Sequence, residues 1–435
     1  MYKKKTLTAD LIFEIAVAML PFENLFFAPS AGWAAISPIL FAMYLALNIR
    51  CWKYPAKRFL RLEAIVAIGF FITIANYIIV VVTEHDTRTT LLRAISTLVS
   101  LILGFVSLYS FYIYFIVKGK SLKKIERILL ITYTISMLIG IAQFFTIIFN
   151  ITPIRMLDSI LSKRTYLPYN RVQFTFTEPS FIGMHLFGVL LPIYVYGHNK
   201  KILKLIVAYW IVAIVCGAGV RIILDGAVVL VIYSLFKMNF RNTKKILGLI
   251  AIGCVMLAGI NIAYQSNYRV RQIMSLGIYA DGSLASRYFR INATVKGYIK
   301  DPVHTLLGYG YGQEVVPLEA GYQEAARDYK SYYMDEVISL KNAGETSEES
   351  VSYCLWTRIV SELGVILAIA LLYMYFQKVY YTKSKEQKAI FVIVGYLYIQ
   401  FESYAFYSVW LIIVLHMLKI KERENYEKSI SLRHD

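Results

Sequence analysis

About twelve apolar stretches, most near the roughly 20 residues that cross a hydrocarbon layer as helix, fill this chain and pause once, over residues 265–351. They fall near 10–28, 31–49, 62–82, 93–117, 128–150, 177–197, 203–219, 222–237, 246–264, 352–377, 389–401 and 404–418. The pattern predicts an all-α, polytopic integral membrane protein. In it, residues 1–264 carry nine transmembrane helices with short loops, 265–351 form one large, mainly helical external loop, 352–418 return to the membrane, and 419–435 are a tail. The first stretch is the least regular, because Asp10, Glu14 and Glu23 lie in or beside it and Pro21 bends it. Lys3–Lys5 ahead of an apolar run, with small residues at Ala28 and Ala31, outline a signal peptide. Glu14 spoils that apolar segment, so an uncleaved anchor is the expectation.

Composition narrows the class further: 58% hydrophobic and 15% aromatic residues exceed what a water-soluble surface carries. Basic residues then set the orientation, since Lys and Arg in short loops stay on the cytoplasmic side. With a cytoplasmic N-terminus, Lys3–Lys5, the loops 50–61, 118–127, 198–204, 237–245 and 378–388, and the tail after Leu418 hold 29 of the 46 basic residues. The formal charge of +18 therefore reports topology and calls for no nucleic-acid partner. Both termini are then cytoplasmic, and the loops 83–92, 151–176 and 265–351 face outward. Cys51 falls in a cytoplasmic loop and Cys216, Cys254 and Cys354 in or at the ends of spans, which supports neither a disulfide framework nor a Cys-based zinc site.

Three outward-facing constellations break the bland pattern. In Lys163–Arg171, leading into Phe176–Gly183, Arg164 and Arg171 run against the orientation rule and suggest that something anionic is held there. Glu178 stands before Pro179 at a helix entrance, where a carboxylate also suits the positive end of the helix dipole or a pair with Arg171. In Gly217–Arg221, Arg221 lies at an outer turn with Asp225 one helical turn on, a spacing that fits a structural ion pair or a cavity lining. The third constellation opens the large loop. Helical spacing from Ala285 to Ile299 puts Arg287 and Arg290 one turn apart, so two guanidinium forks converge on one anion, and phosphate suits them better than sugar alone.

Gly308-Tyr309-Gly310-Tyr311-Gly312 permits positive φ and close backbone approach, or marks a tight turn; no strand-turn-helix unit makes it a nucleotide fingerprint. Charge in the loop is segregated, with six basic and one acidic residue over 265–300 against three and ten over 301–351, so the halves also suit pairing with each other. Ten tyrosines between Gln265 and Ser350, Tyr309 and Tyr311 among them, offer faces for pyranose rings.

The ordered pattern resembles the O-antigen polymerase and ligase superfamily of bacterial envelopes over roughly residues 120–380. It is carried by an arginine loop ending in Glu178-Pro179-Ser180, then Ser286-Arg287, Asp301-Pro302, Gly308-Tyr309-Gly310 and Ser361-Glu362-Leu363-Gly364. The resemblance implies an all-helical glycosyltransferase of the bacterial cytoplasmic (inner) membrane that uses undecaprenyl-diphosphate-linked oligosaccharide at its outer face. In that role its partners are the lipid-linked oligosaccharide, the bilayer, a chain-length regulator and a flippase.

Breaking a glycosyl–diphosphate bond develops negative charge on the leaving oxygen, which preorganised cations beside a low-dielectric wall stabilise. Arg171, Arg221, Arg287 and Arg290 are the candidates, with Arg164 beside them. A carboxylate or imidazole has to accept the acceptor hydroxyl's proton, and Glu178, Glu349 and His304 are available. A lipid diphosphate is pre-activated, so no cofactor is expected, and no residue spacing predicts a metal. Ligases of the superfamily carry a histidine before the late outer helix, where this chain has Glu348–Tyr353; polysaccharide polymerase is therefore expected over ligase. A lipid-linked oligosaccharide transporter or flippase is the rival from another class, but no internal repeat supports it.

Overall fold

The computed structural model describes residues 2–26, 36–83, 88–237, 261, 264–265, 268–280, 282–329 and 353–434. Described residues in ordered elements are helical: α1 (Tyr2–Ala18), α2 (Ile36–Leu47), α3 (Lys53–Thr83), α4 (Arg88–Phe111, continued by a π turn Tyr112–Val117), α5 (Leu122–Ile148) and α6 (Thr152–Leu161) come first. Then follow α7 (Pro179–Gly197, a 3-10 turn, an α turn and a π turn in series), α8 (Lys200–Val215) and α9 (Val220–Lys237). The remainder are α10 (Tyr268–Leu276), α11 (Gly282–Lys300), α12 (Pro302–Leu307), α13 (Val315–Asp328), α14 (Leu355–Tyr381), α15 (Lys385–Leu397) and α16 (Tyr407–His434). Side-chain caps mark several starts: Ser121 accepts from Lys123 N–H at 3.3 Å, Asn199 from Lys201 N–H at 3.0 Å, and Ser384 from Gln387 N–H at 3.4 Å.

Five segments are long and apolar enough to cross a membrane: Lys53–Ile79, Leu91–Val117, Leu122–Ile148, Pro179–Gly197 and Leu355–Tyr381. The chain is therefore all-helical among its described residues, with a multi-pass composition suited to a bilayer. Helices occupy eleven of the twelve expected stretches, and 246–264 lies almost wholly outside the described residues. The segment Pro179–Gly197 is the most enclosed of the five, at 78% buried, while the one in α3 is 11% buried and lies at the margin.

Two expected boundaries shift. The stretch 10–28 is not one helix, because α1 ends at Ala18 and the chain turns through Pro21. Beyond the turn, Glu23 and Asn24 N–H both reach the Thr175 carbonyl at 3.1 Å, so docking onto the arginine loop replaces helix there. At the other end, α16 runs on through the expected tail to His434, with Arg423 and Glu427 paired one turn apart at 2.9 Å.

In the segment expected as an external loop, α11 and α13 pack through Ala285, Phe289, Ala293, Leu318 and Ala325. Lys300 pairs with Glu324 at 2.9 Å and Lys296 with Asp328, so basic and acidic halves do meet. The glycine run then docks on α14. Tyr309 N–H donates to Ser361 O at 2.8 Å, Gly310 N–H to Glu362 O at 3.0 Å and Gly312 N–H to the Glu362 carboxylate at 3.0 Å. Two motifs more than 45 residues apart thus form one staple. Gly308 has φ 98° and a Cβ there would lie 2.6 Å from Glu362 O, so only glycine fits.

Gly308→Ala should lower the melting temperature more than Gly119→Ala. Gly119 has φ 62° with nothing within 4 Å of a Cβ, so it carries about 1 kcal/mol of left-handed strain; Gly308 adds a backbone collision to about 1–3 kcal/mol. Equal shifts in a thermal melt of the two purified variants would contradict the staple.

Candidate functional site

Between α6 and α7 the chain leaves helix and threads into the bundle, which obliges its backbone polar groups to find partners there. Side-chain amides supply them. Gln143 of α5 accepts from Phe174 N–H at 2.8 Å and donates to Phe174 O at 2.9 Å, while Gln173 donates to Arg164 O at 2.6 Å. Asn24 brackets Arg164 from the other side, accepting its N–H at 3.1 Å and donating to its carbonyl at 2.7 Å. Gly140 leaves room for the Phe174 ring, since a Cβ there would meet it at 1.9 Å. This braced segment delivers Arg164, Arg171 and Glu178 to the mouth of a cavity.

The cavity, about 540 Å³, is lined by Arg164, Arg171, Arg221 and Arg287 together with Glu178 and Glu402. The arginines come from three separate places: the braced loop, the first turn of α9, and the first half of α11. Aromatic faces hold them in pairs. Arg164 and Arg171 lie over Tyr166 at 4.7 and 5.5 Å, and Arg290 and Arg287 over Tyr353 at 4.5 and 5.8 Å. A Cβ on Gly219 would stand 3.3 Å from Arg171 Nη2, which places Arg171 against the turn that leads into the start of α9 and Arg221.

Carboxylates complete the site. Glu178 pairs with Arg164 at 3.2 Å, not with Arg171 as its position allowed, and accepts from Ser180 Oγ at 3.0 Å. It precedes Pro179 but makes no side-chain cap to that turn. Asp225 is 1% exposed and faces Arg221 Nε at 3.5 Å, with Tyr396 donating to its other oxygen at 3.0 Å. Arg221 Nε and Nη2, both buried, have no hydrogen-bond partner among the described residues. Nε already faces the Asp225 carboxylate, whereas Nη2, beside the cavity, is costly to bury unless an anion uses it.

Glu402 sits opposite, in the non-helical link between α15 and α16. Its Oε2 accepts from Tyr353 N–H at 2.9 Å. Burial, with the Glu314 carboxylate nearby, pushes the Glu402 carboxyl up to about 7 against the pull of Arg358, the Tyr353 N–H and Arg290. Arg358 ties this link to the staple, donating to Glu362 at 2.9 Å, to Thr97 at 2.7 Å and to Glu402 O at 3.4 Å.

Of the residues expected to act, Arg164, Arg171, Arg221, Arg287 and Glu178 are brought together. Arg290 is 5% exposed and joins them through Tyr353 without lining the cavity. His304, Tyr309 and Tyr311 are placed elsewhere. His304 pairs with Asp301 at 2.7 Å and stacks on Tyr309 beside α3 and α4, and the Tyr311 hydroxyl donates to Val66 O at 3.1 Å. Glu349 lies outside the described residues. Glu402, Tyr353 and Tyr166 escaped the sequence reading. One signal for Glu402 was available: it is the only carboxylate between Lys388 and Lys419, in a run that is otherwise apolar. Among the described residues no group of three His, Cys, Asp or Glu side chains gathers as metal ligands.

No protein-family model matches this chain, and no curated protein matches it. The site is therefore read from its own geometry.

Inorganic diphosphate should bind the purified protein, and Arg221→Gln or Arg287→Gln should each weaken it by roughly ten- to a hundredfold, the loss of about 1.5–3 kcal/mol for a hydrogen bond to a charged group. Titration calorimetry with the Lys123→Gln variant as control checks this. Equal affinities across all four proteins would contradict an anion cavity.

Proposed function

We propose that the protein is a bacterial polysaccharide polymerase, of O-antigen or capsule type, that transfers a growing glycan from undecaprenyl diphosphate to the next lipid-linked repeat. The observation that carries the reading is the meeting of Arg164, Arg171, Arg221 and Arg287 around one cavity. The cavity suits a diphosphate held by several guanidinium forks, which also stabilise it as it leaves. In this reading the chain crosses the cytoplasmic membrane about twelve times with both termini inside, and the cavity opens at the outer face beside the segment 265–351. A chain-length regulator and a flippase are the expected protein partners.

In the transfer, a hydroxyl oxygen of the incoming repeat forms the new bond to the anomeric carbon of the donor. The bond from that carbon to the diphosphate oxygen breaks, and its electron pair leaves with undecaprenyl diphosphate. The hydroxyl proton passes to a carboxylate, and Glu402 fits this role best: it lines the cavity, and a base poised near neutral pH is the efficient one. Glu178, held by Arg164, orients that arginine. Ligase chemistry would need only a different acceptor, and a flippase would need the same anion grip without Glu402. Dependence of turnover on Glu402 therefore separates enzyme from transporter.

Arg287→Ala or Arg171→Ala in the native host should leave the protein inserted and cut the surface glycan to a single repeat, seen as loss of the ladder on a gel. Full-length ladders from both would reject the clamp. With purified protein and lipid-linked repeats, transfer should rise as pH passes upward through about 7, because Glu402 must be deprotonated. Glu402→Gln should abolish transfer while donor binding persists; an unchanged rate and pH profile would remove Glu402 from the chemistry.

A further inference from the structure

A second cavity, about 590 Å³, runs along α14 between its two ends, with lining residues from Leu355 to Lys378. Its walls are almost wholly apolar: Leu101 and Phe105 of α4, Leu363, Leu371 and Met374 of α14, and Trp410 of α16. One end is different. Lys57, Arg58 and Arg61 of α3 and Lys378 of α14 line it, and no carboxylate lines the groove. None of the four pairs with a carboxylate among the described residues. Four like charges at one mouth repel each other, and an apolar groove of this size favours filling by hydrocarbon over water.

We propose that this groove binds one anionic phospholipid, its phosphate among Lys57, Arg58, Arg61 and Lys378 and an acyl chain laid along α14. Charge complementarity selects this occupant. A prenyl chain entering from the far end, where Ser403 lines both cavities, would fill the walls and leave the four cations without an anion. A protein segment would have to bring its own carboxylates into hydrocarbon. The lipid also explains how α3, mostly unburied, stays against the bundle: it bridges α3 and α14 below the point where Tyr311 N–H meets Thr73 at 2.8 Å. Its cation end shares no residue with the arginine cavity, and the site stands whether or not the transfer chemistry proposed above is correct.

Native mass spectrometry of the full-length protein in mild detergent tests it, after incubation with equal amounts of phosphatidylglycerol and phosphatidylcholine of identical chains. One phosphatidylglycerol should be retained in preference. Arg58→Gln/Arg61→Gln should cut its occupancy about tenfold or more, at on the order of fivefold per cation, whereas Lys123→Gln/Arg127→Gln on α5 should leave it unchanged. Met374→Trp, which fills the groove and spares the charges, should lower it as well. Should the double variant not fold, Lys378→Gln reads the same contact. Equal retention of the two lipids, equal loss in both double variants, or displacement of the phospholipid by a polyprenyl phosphate would overturn the proposal.

Discussion

Guanidinium groups gathered on one cavity repel each other, and the fold around the arginine site is organised to keep them there. Tyr166 and Tyr353 each take two arginines on their rings, which positions charge without neutralising it. Three carboxylates stand among them: Glu178 on Arg164, Asp225 facing Arg221 at the longer distance of 3.5 Å, and Glu402 on the Tyr353 N–H. The result is a cavity lined by four arginines and two carboxylates, a setting that suits an anion. Arg221 Nη2, buried, has no hydrogen-bond partner among the described residues.

Holding such a site demands rigid supports, and each is built from unusual backbone. The loop bearing Arg164, Arg171 and Glu178 is irregular yet buried, and Gln143, Gln173 and Asn24 take the place of helix hydrogen bonds. Opposite, the glycine run pins Glu362, Glu362 fixes Arg358, and Arg358 holds the link that carries Glu402. Residues with no contact to the cavity therefore govern it. A substitution at Gly308 would act on the site through three successive contacts and one at Glu362 through two, without touching its lining.

Much of this was legible in the chain and part was not. Long apolar runs locate helices well, because length and hydropathy are local properties; helix breaks are harder, as at Pro21, where docking of Glu23 and Asn24 onto Thr175 ends α1 early. Arg164 and Arg171 stood out because they break the charge rule expected of an outer loop, Arg221 and Arg287 by their place near helix ends, and all four share a cavity. Tyr309, Tyr311 and His304 looked equally chemical, but what their neighbourhood needed was backbone proximity, and the glycines between them serve that purpose. Tyr166 and Tyr353 are two among 35 tyrosines, so nothing local marks them. Glu402 was the one missed residue with a visible sign, a lone carboxylate in an apolar run.

In the proposed reading, separate segments of the chain surround one lipid-borne diphosphate. Photo-crosslinking with a short polyprenyl diphosphate that carries a diazirine next to its phosphates, followed by peptide mapping, tests it most directly. Labels on the Arg164–Phe181 loop, the turn at Gly219–Ile222 and the Leu284–Arg290 face of α11 are the expected result. Labels confined to the neighbourhood of His304, or to the end of the groove at Lys57–Arg61, would contradict it.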